Sequence, residues 1–167
     1  MPALESLLAG VRLAVFDFDG VFTDNRVWTD ENGVESVACW RGDGFGLRRL
    51  DEVGVGYVIV STEENAVVAA RARKLRAACV HGVVDKLVIL REQAEARDVS
   101  LEQTAYLGND INDATCLRAV GVPVVPADAW PEVVPLARWV LTRRGGEGCV
   151  REFCDGVWRA RRGEAVA

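Results

Sequence analysis

Six short apolar runs, none long enough to be a helix, recur along the chain, and stretches of helical spacing separate them. The runs cover residues 11–16, 57–60, 105–107, 122–125 and 139–141, with a weaker one at 78–80. Runs of this length, rich in Val, Leu and Ile and lacking polar alternation, read as strands buried on both faces. Helical patterns occupy residues 44–53, 64–77, 86–97, 111–120 and 132–137. Strand–helix–strand alternation implies parallel pairing, because a crossover helix returns the chain to the same end of the sheet. The expected architecture is α/β: a Rossmann-like, doubly wound, mainly parallel sheet with helices on both faces. All 167 residues are read as one domain. A chain of this length buries roughly two-thirds of the surface its unfolded form exposes.

Residues 26–40 break the alternation. They read Arg-Val-Trp-Thr-Asp-Glu-Asn-Gly-Val-Glu-Ser-Val-Ala-Cys-Trp. Asn32-Gly33 is a two-residue hairpin signal, since a type I′ turn needs positive φ at both centres. The spacing predicts a β-hairpin flap after the first strand. An isolated hairpin is marginally stable in water. Trp28, Val34, Val37 and Trp40 are therefore expected to pack on something, a neighbouring subunit included. Gly145-Gly146-Glu147-Gly148 is too flexible for a helix interior and reads as the loop before a C-terminal helix.

The chain has 20 basic and 25 acidic residues, a net charge of −5. Nucleic-acid backbones reward clustered Lys and Arg, so no nucleic-acid partner is expected. Cys39, Cys79, Cys116, Cys149 and Cys154 show no Cys-x-x-Cys spacing, and His81 is the one histidine. That argues against a structural zinc site and suits buried thiols in a reducing cytoplasm. The first residues, with Glu5 and a short apolar stretch, do not read as a signal peptide. The apolar runs are too short to span a bilayer, so no membrane association is expected.

Four clusters carry chemistry, each just after a strand. The first is Asp17-Phe18-Asp19-Gly20-Val21. A spacing of two puts both carboxylates on one side, at the carboxyl edge of the sheet where open α/β folds bind ligands. Two acids this close repel, and one takes up a proton unless a cation sits beside them. A hard divalent cation, magnesium by preference, suits oxygen ligands. The second is Ser61-Thr62, where a small hydroxyl residue ends a strand and opens a helix. Such a residue can hold a phosphate oxygen at the positive end of the helix dipole. The third is Asp85-Lys86. A lysine in the first turn of a helix opposes the dipole, and neutralising a phosphoryl group would explain its presence. The fourth is Gly108-Asn109-Asp110-Ile111-Asn112-Asp113, in which Asp110 and Asp113 can face one point from a first helical turn. Each cluster alone has an ordinary reading as a cap, turn or solvated surface. All four at one edge of one sheet do not.

This ordered set, over residues 11–125, resembles the four motifs of the haloacid dehalogenase superfamily. The resemblance implies that Asp17 attacks phosphorus, while Asp19 protonates the leaving oxygen and then activates water. It also implies magnesium on the Asp17 carboxylate, the Asp19 backbone carbonyl and Asp110. Asp113 would be an outer metal ligand or a partner of Lys86. Ser61, with Gly20 and Thr62, would bind phosphate, and Lys86 would hold the phosphoryl group and nucleophile together. An aspartate at Asp19 favours a phosphatase over a dehalogenase.

The superfamily's cap domain has no room here. The hairpin and one helix fill the interval from Asp17 to Ser61, and the interval from Ser61 to Lys86 is shorter. The hairpin, the Arg41-Gly42-Asp43-Gly44 turn and residues 145–152 resemble the capless subgroup that dephosphorylates 3-deoxy-2-keto sugar acid phosphates. Its substrates include 3-deoxy-D-manno-octulosonate 8-phosphate and nine-carbon acid 9-phosphates. Membership implies a homotetramer in which hairpins associate, a neighbouring subunit closes the site and a mobile C-terminal tail gates it. Residues 61–65 and 70–75 look more like the phosphatase domains associated with acylneuraminate cytidylyltransferases, which favours a nine-carbon acid. Glu63 and Lys74 lie eleven apart, close to three helical turns, so they are expected to share a face. Glu63 would read substrate hydroxyls, and Arg41 and Arg71 would supply cations for the substrate carboxylate, within one subunit or across a subunit boundary.

Three other readings fit part of the pattern. One is a noncatalytic phosphatase-like domain that assembles oligomers for a cytidylyltransferase; against it, no catalytic position is lost. Another is a phospho-accepting receiver domain, but there the reactive Asp ends a later strand than the acidic pair. A phosphomutase is the third, though mutases generally rely on a cap.

Overall fold

A computed structural model describes residues 3–166. In chain order, α1 (Leu4–Ala9) leads into β1 (Leu13–Phe16), followed by a hairpin of β2 (Trp28–Thr29) and β3 (Glu35–Ser36). Then come α2 (Asp43–Glu52), β4 (Gly56–Val60), α3 (Val67–Leu75), β5 (Ala78–Val80), α4 (Lys86–Glu95) and β6 (Thr104–Leu107). The chain ends with α5 (Ala114–Ala119), β7 (Val122–Val125), β8 (Trp139–Val140) and α6 (Cys149–Arg161). Six strands pair in parallel in the order β5-β4-β1-β6-β7-β8.

The period of two along β1 divides the core. Ala14 and Phe16 face a layer built by α1, α2, α3 and α6, through residues such as Leu8, Leu47, Val68 and Phe153. Leu13 and Val15 face a second layer built by α4 and α5, through Leu90, Ala94 and Leu117. A strand buried on both sides shows no polar alternation, which is why these strands read as apolar runs. The chain winds from β1 out to β5, then returns to β6 on the other side of β1. Register pairs Phe16 with both Ile59 and Leu107. The residues that follow those three emerge side by side, at the crevice where the winding reverses.

Several expected elements differ. The helix read over 64–77 starts only at Val67, because the Asn65 side chain accepts the Val67 amide hydrogen at 3.0 Å and a loop fills 61–66. Glu63 is therefore off the helix, and the eleven-residue spacing to Lys74 does not place the two on one face. The stretch 111–120 begins as a 3-10 turn at Ile111–Asp113 before α5. The stretch 132–137 is only a 3-10 turn, Val134–Leu136, since Pro135 limits its hydrogen bonding.

The hairpin is present, but its turn is not the two-residue type. Trp28 pairs with Ser36 and Thr29 with Glu35. Gly33 N–H donates to the Asp30 carbonyl at 3.0 Å, and the Asp30 carboxylate accepts from the amides of Asn32 and Val34, both at 2.9 Å. Gly33 has φ +77°, whereas Asn32 does not enter the left-handed region. This is a type I turn closed by a left-handed glycine, selected by the carboxylate two residues upstream. Among the described residues, no helix is long and apolar enough to cross a membrane.

Candidate active site

Asp17 continues the β1 ladder by one residue, its amide donating to the Leu107 carbonyl at 2.9 Å. Its carboxylate is 5% exposed, and its Oδ1 accepts from Lys86 Nζ at 2.8 Å and from the Phe18 amide at 2.7 Å. Lys86 stands in the first turn of α4. Asp85 caps that turn by accepting from the amides of Leu87 and Val88, which offsets a cation at the positive end of a helix. Lys86 is 3% exposed and spans two acids, donating also to Asp113 Oδ1 at 2.8 Å.

Asp113 has no free acceptor site of consequence. Its Oδ1 also takes the Tyr106 hydroxyl at 2.7 Å, and its Oδ2 takes the amides of Asn109 at 2.8 Å and Asp110 at 3.2 Å. It is fully buried. Of the two roles expected for Asp113, this geometry fits the partner of Lys86 and not a metal ligand. Tyr106, on the central strand β6, was not among the expected site residues. Its position inside an apolar run hid a hydroxyl that anchors the lysine's second acid.

Electrostatics follow from one ammonium shared by buried acids. Burial first, then the charge of Asp113, pushes the Asp17 carboxyl up to about 8, against the pull of Lys86. Burial opposes the charge on Lys86, but the carboxylates of Asp17 and Asp113 overcome it and raise its pKa. The site is short of positive charge. Asp17, Asp19 and Asp110 all line a cleft of about 500 Å³. Among the described residues, no three metal-ligating side chains converge. Two carboxylates and one carbonyl, all hard oxygens, suit a small divalent cation that keeps much of its water, as magnesium does.

The loop after Asp17 is fixed by Thr23. Its buried hydroxyl accepts from the amides of Gly20 at 3.2 Å and Asn25 at 3.1 Å. Its one proton is then free to go to Asp19 Oδ1, 3.2 Å away. Burial pushes the Asp19 carboxyl above its usual range, with the Thr23 bond pulling the other way. A carboxyl that keeps its proton more readily is suited to general acid work. Gly20 has φ +75°, and a Cβ there would overlap the Asn109 amide. Its N–H is donated to Thr23, and its positive φ lets the loop turn.

Thr62 and Glu63 line the cleft as expected. Ser61 is 1% exposed, and its hydroxyl accepts from the Glu63 amide at 3.1 Å. With α3 starting at Val67, Ser61 does not open a helix, and the dipole argument for phosphate binding fails at this position. Arg41, Arg71 and Lys74 line a separate cavity of about 640 Å³ that adjoins the cleft at Val37 and Val67. Arg26, Glu35 and Asn109 line the cleft although no role was expected of them. The first two come from the flap, whose fold back over the sheet edge no local pattern encodes.

The glycine-rich stretch before α6 packs on the same loop. Gly146 N–H donates to the Val21 carbonyl at 3.0 Å, Gly145 N–H to Asp128 Oδ1 at 2.9 Å, and Cys149 Sγ lies 3.3 Å from the Val21 carbonyl.

No family model matches the chain. The 3-deoxy-D-manno-octulosonate 8-phosphate phosphatase KdsC of Yersinia pestis is 34% identical over 148 residues, 88% of this chain and 79% of the relative. A crystal structure of the 3-deoxy-D-manno-octulosonate 8-phosphate phosphatase from Yersinia pestis superposes with a TM-score of 0.92 at 32% identity, covering 95% of this chain and 86% of that one. The 3-deoxy-D-manno-octulosonate 8-phosphate phosphatase of Moraxella catarrhalis, solved in complex with a magnesium ion, a phosphate ion and a KDO molecule, gives a TM-score of 0.91 at 26% identity, over 95% and 92% of the two chains.

Proposed function

Since this chain belongs to the haloacid dehalogenase superfamily, among proteins like 3-deoxy-D-manno-octulosonate 8-phosphate phosphatase, and is a phosphomonoesterase, we propose that it removes the terminal phosphate of a 2-keto-3-deoxy sugar acid through Asp17. The observation that carries this reading is the buried Asp17–Lys86–Asp113 array opening onto a cleft with Asp19 and Asp110 on its wall.

The chemistry has two displacements. The Asp17 carboxylate attacks phosphorus, and the sugar oxygen leaves with a proton from Asp19. An aspartyl phosphate remains on Asp17. Asp19, now a carboxylate, takes a proton from water as that water attacks phosphorus, and phosphate leaves with Asp17 restored. Lys86 holds the attacking carboxylate in place and balances charge on the phosphoryl oxygens. Asp113, anchored by the Tyr106 hydroxyl, holds Lys86. Magnesium, carried by Asp17, Asp110 and the Asp19 carbonyl, would supply Lewis acidity and charge neutralisation toward the phosphoryl group. Uncatalysed hydrolysis of such esters is slow enough that enzymes reach accelerations of up to about 10²¹-fold. The preplaced Lys86 ammonium and a split displacement are the physical means this site has, to which a bound divalent cation would add.

Phosphate release from a phosphate monoester, followed with magnesium and with chelator, tests the reading. Asp17→Asn is expected to fold and to lose turnover entirely. Substantial residual release from that variant would sink the mechanism.

Within the substrate class we favour a nine-carbon acid 9-phosphate, although the named relatives act on the eight-carbon octulosonate. Support comes from the likeness of residues 61–65 and 70–75 to domains associated with nine-carbon acids, and from Glu63 on the cleft wall. Comparing kcat/KM for the two substrate lengths decides it, and a preference for octulosonate 8-phosphate would reverse the choice. We further take the enzyme to be a cytoplasmic homotetramer associated through its hairpins. Trp28, 70% exposed on the flap, supports association.

A further inference from the structure

Beside Glu63, of which hydroxyl reading was expected, the cleft carries a second acid that has been given no task, Glu35. Glu35 comes from β3 of the flap and Glu63 from the loop after β4, and both line the cleft with Asp17 and Asp19. A pocket for a phosphorylated acid gains nothing from extra negative charge unless that charge has a task. Neither glutamate is in an ion pair among the described residues.

One residue holds both. Asn65 Nδ2 donates to Glu35 Oε2 at 3.0 Å, and the Asn65 amide donates to Glu63 Oε1 at 2.7 Å. The Asn65 side chain is itself fixed, because its Oδ1 accepts the amide of Val67 at the start of α3. Each glutamate thus has one oxygen committed to Asn65 and a second oxygen for which no protein donor is recorded. Two acceptors held side by side, without a cation, match a pair of hydroxyl groups that donate to them.

We propose that Glu35 and Glu63, clasped by Asn65, form a hydroxyl-reading pair that accepts the polyol part of the substrate between its phosphate and its keto acid end. Glu35 is a specificity residue supplied by the flap, and Asn65 is the positioning residue that ties the flap to the phosphate-side loop. The assignment rests on the sugar acid reading above. It adds that recognition of the hydroxyls requires the flap of the same chain.

The test compares kcat/KM of the full-length enzyme for a 2-keto-3-deoxy sugar acid phosphate and for p-nitrophenyl phosphate, which has no hydroxyls to read. Glu35→Gln keeps the shape and removes the charge. It is expected to lower the sugar acid to aryl phosphate ratio at least tenfold, mainly through KM. Asn65→Ala, which frees the Glu35 side chain but keeps the backbone amide that holds Glu63, is expected to lower the same ratio by a smaller factor. An unchanged ratio in Glu35→Gln would overturn the assignment alone. So would loss of a magnesium-binding equivalent in that variant, read by calorimetric titration, since the pair would then be a cation site. A wild-type enzyme that cleaves the aryl phosphate but no sugar acid phosphate would overturn the substrate reading, and this assignment with it.

Discussion

Thr23 shows how little freedom a single buried hydroxyl can have. Two amides already point at its oxygen, so its proton can satisfy only Asp19. That bond holds the acid's carboxyl in one orientation toward the cleft. Thr23→Val keeps the volume and removes the bond. General acid catalysis contributes about 10²–10⁴-fold, and a misaimed acid forfeits part of that. We expect kcat for an alkyl phosphate to fall about tenfold or more, with a smaller fall for p-nitrophenyl phosphate, whose leaving group needs no proton. Thr23→Ser should recover the alkyl rate. Equal losses on both esters would show that Thr23 serves the fold alone. This role was not legible beforehand, because Thr23 lies in the same loop as the acid pair but its bond depends on how Gly20 turns that loop. Asp17, Asp19, Asp110 and Lys86 were legible because strand ends announce themselves as a change from apolar to acidic. Arg41, Arg71 and Lys74 line the adjoining cavity and not the cleft itself, and no one-dimensional spacing tells which of two adjoining cavities a side chain lines.

Elements repeat the lesson at larger size. Strands buried on both faces were read within one or two residues, since their apolar runs stop where the backbone leaves the sheet. Helix starts were less legible. The loop at 61–66 has enough helix-forming residues to pass for helix, and only the turn in which Asn65 Oδ1 accepts the Val67 amide marks the true start. The flap was placed correctly but its turn was not, because Asp30 captures the amides of Asn32 and Val34 and takes the choice of turn away from Asn32-Gly33. Its short strands leave Trp28 and Val34 exposed. If the flaps of several copies pack together, as proposed, sedimentation should find a tetramer of the 18.2 kDa chain. Trp28→Asp should shift it toward smaller species. A wild-type monomer at micromolar concentration would end the proposal.

For the whole molecule, the most consequential charge outside the cleft is Asp43, at the start of α2 beneath α6. It is fully buried, its Oδ1 accepts the Arg151 amide at 3.2 Å, and its Oδ2 has no donor. Burial raises its carboxyl from 3.8 to about 7. Between those values the folded chain holds a proton that the unfolded chain has lost. Stability contributed by the neutral acid is therefore present at low pH and declines as pH rises toward 7. Asp43→Asn removes the titration. The variant should gain stability relative to the wild type between pH 5 and pH 8, by roughly 2.5 kcal/mol, in denaturant titrations at the two values. A constant difference across that range would show that Asp43 does not titrate there.

The segment joining β8 to α6 leans on the main chain of the loop that carries the catalytic acids, through Gly146 and Cys149 against Val21. A segment more than a hundred residues downstream is thus a keystone for the loop that does chemistry. A nascent chain can close its sheet and still lack a firm active loop until α6 and the segment before it have docked, so competence for catalysis waits on that late packing step.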